Sequence, residues 1–376
     1  MMKKLLYIFL AISIIFSACK KEEDEPTNSG NNNTGNDGGT TVLTWEKTYF
    51  DGVGDEKGGA DCINQTSDNG YVILCNAVSD IHFLMKIDEN GDEEWRQEQF
   101  NLTYDFDYLG KTNDEGFIIS GSIDDSNNGI HLTKVNEYGN LQWSSIIQQE
   151  GEVQYISETI DGGYIILSEN LIKTNSQGIL EWTKDFNLDA VSNTNDGGYI
   201  ISNSDSLIKL NSNGNIEWEK KVFIITANTP EYDFKSIEET NDGGYILAGS
   251  SGDKPNYELL LAKIDLNGNL EWDEKFGGVG SGGDMAKQTI DGGYIIVGHT
   301  RELSNGSKDV YFVKTDLNGN RLIGKTFGGI DSDDGLCVSE TNDGGYVIGA
   351  ETESFGSNNI YIIKIDANGN LQPLKQ

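Results

Sequence analysis

Gly319-Asn320-Arg321-Leu322-Ile323-Gly324-Lys325-Thr326 matches the phosphate-cradling pattern Gly-x4-Gly-Lys-Ser/Thr letter for letter. Chemistry of that kind needs a strand before the loop and a helix after it, so that backbone N–H groups converge on the phosphate. Gly278-Val279-Gly280-Ser281-Gly282-Gly283 likewise spells Gly-x-Gly-x-x-Gly, the glycine pattern of dinucleotide binding. Segments 265–269, 316–320 and 366–370 open like calcium loops. They lack the alternating carboxylates and the closing bidentate glutamate that such loops require. His82, His131 and His299 show no metal-ligand spacing with one another or with a cysteine, and no Gly-x-Ser-x-Gly nucleophile elbow occurs. The expectation is no catalytic residue, no metal ligand set and no resident cofactor, with calcium as the one cation left open.

The elements that carry these segments explain why. Asp-Gly-Gly-Tyr recurs at Asp161, Asp196, Asp242, Asp291 and Asp343, with variants beginning at Asp68 and Asp114. A second signature, Asn-Gly-Asn or a near relative followed three residues later by tryptophan, marks Trp95, Trp143, Trp182, Trp218 and Trp272, and Trp45 opens the series without its turn. Ile323 and Pro373 occupy the next two equivalent positions, so the steps are 50, 48, 39, 36, 54, 51 and 50 residues. Such periods belong to propeller blades and other repeat arrays. Each unit reads as four antiparallel strands, with glycines supplying positive φ in the tight turns. The unit phase starts with a fourth strand around Trp45 and ends after a third strand around Tyr361, so the N-terminal strand can complete the last unit. The predicted fold is all-β: a seven-bladed β-propeller of four-stranded antiparallel blades over residues 42–376, closed by that strand, which removes open sheet edges. Within this frame Gly319 falls in a hairpin turn, Lys325 falls in a fourth strand, and 278–283 is a loop between units. None of them opens a helix.

Besides Cys19, the cysteines are Cys62, Cys75 and Cys337. Alignment of the units places Cys62 and Cys337 at one first-strand position and Cys75 on the second strand. If Thr66 faces Tyr71 across the hairpin, Cys62 faces Cys75 and a disulfide is expected to be possible in an oxidising compartment. Equivalent second-strand positions hold Gly121, Ser168, Gly249, Gly298 and Ala350. A demand for small side chains therefore accounts for Cys75 equally well, and Cys337 reads as a buried free thiol.

The pattern W-x-K-x-F-G-G, T-x-D-G-G-Y-I-I-x-G and K-h-D-x-N-G-N resembles the β-propeller repeats of secreted bacterial proteins and, more distantly, PQQ-type quinoprotein blades. That resemblance implies tryptophans docked between neighbouring blades. The adjacent cysteine pair that PQQ enzymes carry near their cofactor is missing, as is the Asp-box of sialidase propellers. The N-terminus, with Lys3 and Lys4, an apolar run from Leu5 to Phe16, and Ser17-Ala18-Cys19, resembles a bacterial lipobox. It implies a signal peptide at 1–18, cleavage before Cys19 and lipid attachment there, with anchoring strong enough to hold the chain on a membrane. Residues 19–41 then form an acidic, Asn/Gly-rich tether reaching roughly 25 Å. The run after Cys19, Lys-Lys-Glu-Glu-Asp-Glu, is similar to the export signal of surface lipoproteins in the Bacteroidetes group. The address this implies is the bacterial outer membrane, on its cell-surface face, with the periplasmic face as the alternative.

The chain carries 61 Asp+Glu against 27 Lys+Arg, a formal charge of −34 that becomes −36 without residues 1–18. A surface of that sign repels phosphate backbones and excludes nucleic acid as a partner. The Asp-Gly-Gly and Asn-Gly-Asn turns share one face of the ring. The longer, variable connections share the other, where binding is usually placed. Asp51, Asp55, Glu56, Asp253, Asp309, Asp331, Asp333 and Asp334 collect in those connections as candidate binding residues. The expected function is a monomeric, non-enzymatic binding scaffold of the envelope whose ligand is a protein or glycan. The alternative is an envelope glycan hydrolase or lyase, with a pair of carboxylates about 5–9.5 Å apart at the central channel.

Overall fold

A computed structural model describes residues 42–50, 59–77, 81–97, 106–123, 129–186, 188–203, 206–222, 232–252, 256–304, 306–355 and 359–371. Every regular element among them is a strand. Seven four-stranded antiparallel sheets form the blades. In six of them the strands run in chain order, and in the seventh the order places Trp45–Phe50 beside Asn359–Ile365. The expected closure by the N-terminal strand is therefore present, with Trp45 opposite Lys364 and Phe50 opposite Asn359. First strands touch their neighbours all the way round the ring, from Gly59–Gln65 of blade one to Asp333–Glu340 of blade seven, and so surround the axis. The apolar core is distributed as clusters between adjacent blades.

The repeated residues explain the repeated geometry. In blade five Thr240 and Gly244 pair through the backbone at 2.8 Å, and Gly243 turns the chain at φ 79°. The Asp242 carboxylate accepts from the Thr240 hydroxyl at 2.6 Å and from the Gly244 N–H at 2.9 Å. A Cβ on Gly244 would lie 2.3 Å from both the Ile264 carbonyl and the Lys263 ammonium, so close approach demands the second glycine. Lys263 is buried, and its Nζ donates to Asp242 and to the Ile264 carbonyl. The same lysine–aspartate pair recurs in all seven blades: Lys86 with Asp68, Lys134 with Asp114, Lys173 with Asp161, Lys209 with Asp196, Lys314 with Asp291 and Lys364 with Asp343. The aspartate of the signature thus ties the first hairpin of each blade to its third strand.

The tryptophans link blade to blade. Trp272 sits at a ring-centroid distance of 5.6 Å from Tyr294 of the next blade's Asp-Gly-Gly-Tyr signature. A Cβ on Gly319, in that blade's Asn-Gly-Asn turn, would come within 2.8 Å of the Trp272 ring. Trp45 makes the corresponding contacts with Tyr71 and Gly91, joining blade seven to blade one. The phosphate-loop spelling is confirmed as a hairpin: Gly319 has φ 82° and Lys325 lies in the strand Arg321–Phe327. The calcium-like segments are also hairpin turns, in which Asp265 Oδ1 accepts from the Asn267 and Asn269 N–H groups.

The expected pairing of Cys62 with Cys75 is not formed. Gln65, not Thr66, faces Tyr71, and a bulge between Ala60 and Cys62 shifts the register again, so Cys62 faces Leu74 and Ala60 faces Cys75. Cys62 packs in the cluster shared with blade two, and Cys75 packs with Cys337 in the cluster shared with blade seven. All three are buried free thiols, and burial pushes the Cys62 thiol up to about 11.

Candidate functional site

Residues that break the sevenfold repeat gather where the first strands begin, at the loop-side mouth of the ring. Blades one, five, six and seven each carry a bulge there, at Asp61, Lys235, Asp284 and Leu336. A bulge inserts one unpaired residue and re-aims its side chain. The opposing second-strand residue must then be small: a Cβ on Gly298 would lie 2.0 Å from the Gly282 carbonyl, and one on Gly249 would lie 2.1 Å from that of Asp233. This is the physical reason for the run of Gly, Ala and Cys at that position.

Between blades six and seven, Asp284, His299 and Asp334 bring one ligand atom each within 4.8 Å of one another. His299 Nδ1 lies 2.9 Å from Asp334 Oδ1, and Lys308 pairs with Asp334 Oδ2. Burial and the nearby Asp334 push the Asp284 carboxyl up to about 7, against the opposing pull of His299, Lys235 and Lys308. Burial also acts to raise Asp334, but His299 and Lys308 outweigh it and hold that carboxyl below the usual range. Around the mouth, burial together with Glu351 and Asp107 raises Asp61 to about 7. Burial and Asp233 raise Asp189 to about 6, opposed by Lys235.

Of the acidic residues expected to bind, Asp334 alone enters this cluster. Asp333 is fully buried and structural: it accepts from the Thr352 hydroxyl, the Ser354 hydroxyl at 2.7 Å and the Gly329 N–H at 2.9 Å, which pins the crossing loop. Asp309 is also buried, at the start of a third strand, and so offers no loop surface. Asp331 is exposed, with its N–H donating to Ser354. Asp51, Asp55, Glu56 and Asp253, together with Cys19, lie outside the described residues. Asp61, Asp189, Asp284, His299 and Lys308 were missed by sequence reasoning. The available signal was the unit alignment itself, in which Asp61, Lys235, Asp284 and Leu336 share one position.

These raised carboxyls set a pH dependence. Asp61, Asp189 and Asp284 hold their protons up to about 6–7 when folded but release them near the usual value of 3.8 when unfolded. The folded chain therefore binds more protons across that window, and their contribution to stability falls as pH rises through 6–7. The melting temperature is expected to be a few degrees higher at about pH 5 than at about pH 8. Asp61→Asn and Asp284→Asn should flatten the profile. A steep profile unchanged by both substitutions would instead assign it to the general negative charge.

No family model and no curated protein sequence matches the chain. Solved structures do match its fold. A catalytically inactive virginiamycin B lyase from Staphylococcus aureus, solved with quinupristin, aligns with a TM-score of 0.62 at 12% identity over 86% of this chain and 100% of that one. YCF48 from Cyanidioschyzon merolae aligns at 0.54 with 11% identity over 85% and 98%. A YCF48 structure bound to D1 peptide aligns at 0.55 with 10% identity over 86% and 94%. At these identities the likeness is one of architecture: the chain is a seven-bladed β-propeller, similar in fold both to an enzyme and to a peptide-binding protein.

Proposed function

We propose that the protein is a monomeric, lipid-anchored binding scaffold of the bacterial outer membrane, which takes a cation-bearing protein or glycan at the loop-side mouth of the ring. One observation carries this reading: acidic groups are set against one another there, Asp61 with Glu351 and Asp107, Asp189 with Asp233, and Asp284 with Asp334. Like charges held together oppose folding, and a cationic ligand relieves the repulsion. The charged residues of the repeat are used by the lysine–aspartate pairs of the blades, so selection of a partner falls to the non-repeating groups at the mouth. YCF48 supports the reading by fold analogy alone, as a propeller solved with a bound peptide.

The test is retention of basic peptides, acidic peptides and an array of neutral and amino-bearing glycans on the immobilised ring from residue 42 onward. Cationic ligands should be retained, with binding that weakens on adding salt and is lost in a Asp61→Asn/Asp189→Asn double variant. Equal retention of acidic ligands, or binding indifferent to that variant, would refute the proposal. Turnover of a glycan on the same array would favour the hydrolase or lyase alternative.

A further inference from the structure

We propose that Asp284, His299 and Asp334 form a site for one divalent transition-metal ion of the zinc class. The three ligands come from the first strand of blade six, its second strand and the first strand of blade seven, so backbone pairing fixes their origins. Their ligand atoms already lie within 4.8 Å of one another. Metal–ligand bonds of about 2.0–2.2 Å in a tetrahedron place ligand atoms about 3.4 Å apart, so side-chain rotation alone completes the set.

Two further observations point to a ligand. The Asp284 carboxylate accepts no hydrogen bond from any described residue, although it is aimed into the cluster by the bulge between Gly283 and Met285. The His299 ring lies close against Gly282, where a Cβ would lie 3.0 Å from Cε1 and 3.4 Å from Nε2. A side chain at 282 would displace the imidazole. Lys308 occupies Asp334 Oδ2 as a cation supplied by the protein itself. A metal ion takes over that neutralising role while also satisfying Asp284.

The donor set selects the ion. Two carboxylate oxygens and one imidazole nitrogen suit zinc, manganese or ferrous iron, leaving positions open for water or a ligand group. Calcium, which takes six to eight oxygens, is poorly served. The site stands independently of any macromolecular partner at the mouth.

The experiment is calorimetric titration of the chelator-treated full chain with zinc, manganese and calcium chlorides, with cobalt substitution followed by visible absorption. One zinc per chain is expected, bound at least about tenfold more tightly than calcium. Asp284→Asn and His299→Gln should each weaken zinc at least about tenfold. Glu219→Gln, on an outer strand, should leave binding unchanged. His299→Gln should also remove the cobalt absorption bands. Asp284→Asn keeps the test decisive if His299→Gln misfolds, because the amide imitates the protonated carboxyl. Absence of saturable zinc binding, or zinc binding unaffected by Asp284→Asn, overturns the site.

Discussion

Asp343→Ala is expected to destabilise the ring by about 3–5 kcal/mol, more than removal of the matching aspartate in any other blade. The Lys364 side chain is 1% exposed and that of Asp343 is 26% exposed, whereas the other six aspartates of the series are 53–59% exposed. Among the described residues, Lys364 Nζ donates to Asp343 at 3.0 Å and otherwise only to the Ile365 carbonyl at 3.4 Å. Lys86, Lys173, Lys209 and Lys263 each keep a second carboxylate, from Glu94, Glu181, Glu217 and Glu271. Burial already outweighs the attraction of Asp343 at Lys364 and holds its ammonium below the usual lysine range. At Asp343 burial acts to raise the carboxyl, but the Thr341 hydroxyl, the Lys364 charge and the Gly345 N–H together hold it low. The two shifts describe one situation: the ammonium is costly to bury, and the carboxylate is what makes it tolerable.

Removing the carboxylate alone therefore strands a buried charge, and removing both members does not. The double variant Asp343→Ala/Lys364→Met should recover more than half of the loss, measured by urea unfolding. The stability that Asp343 contributes is present above its ordinary value of 3.8 and disappears as pH falls through its lowered one. A single variant as stable as the parent would show that water, not Asp343, satisfies Lys364.

The blades were legible because their signatures are local demands of the backbone. Gly243 answers a positive φ, Gly244 a close carbonyl, and Trp272 a flat glycine surface on the next blade. Such demands recur in every unit and survive as letters in most of them, with Asn69 and Glu115 taking the positive φ in blades one and two. The lysines were visible as letters too, but their partner lies 12 residues away in blade three and 23 in blade six, so pairing needed the fold. The mouth was hidden for a different reason. Counting across the first hairpin paired Cys62 with the wrong neighbour because Gln65, not Thr66, faces Tyr71, and the bulge between Ala60 and Cys62 then adds one residue and inverts the alternation beyond it. Asp284, His299 and Asp334 come from two units and three strands, and no spacing in one chain announces a cluster assembled across a blade interface.

Deleting residues 42–50 is expected to abolish the folded monomer. The strand Trp45–Phe50 supplies six register pairs to Asn359–Ile365, and its loss leaves that strand as an open edge of the kind that templates aggregation. Blade completion is only half of its work. Trp45 is 2% exposed, donates its indole N–H to the Glu89 carbonyl at 3.0 Å and covers Gly91 of blade one. Tyr49 donates to the Gly91 carbonyl at 2.6 Å, and Lys47 meets Asp92 at 2.7 Å. Glu46 accepts from the Tyr361 hydroxyl at 2.6 Å within blade seven. One strand therefore finishes the last blade and clasps it to the first. Trp45→Ala alone should cost about 3–5 kcal/mol and leave a folded, weaker ring. The deletion removes Trp45, Tyr49 and the whole ladder together, a loss comparable to the entire stability of about 5–15 kcal/mol expected of a native domain. Size-exclusion chromatography should find aggregate, and a synthetic 42–50 peptide added during refolding should restore monomer. A truncated chain that elutes as a monomer and melts cooperatively at the parent temperature would mean that the contacts between first strands around the axis hold the ring without its clasp.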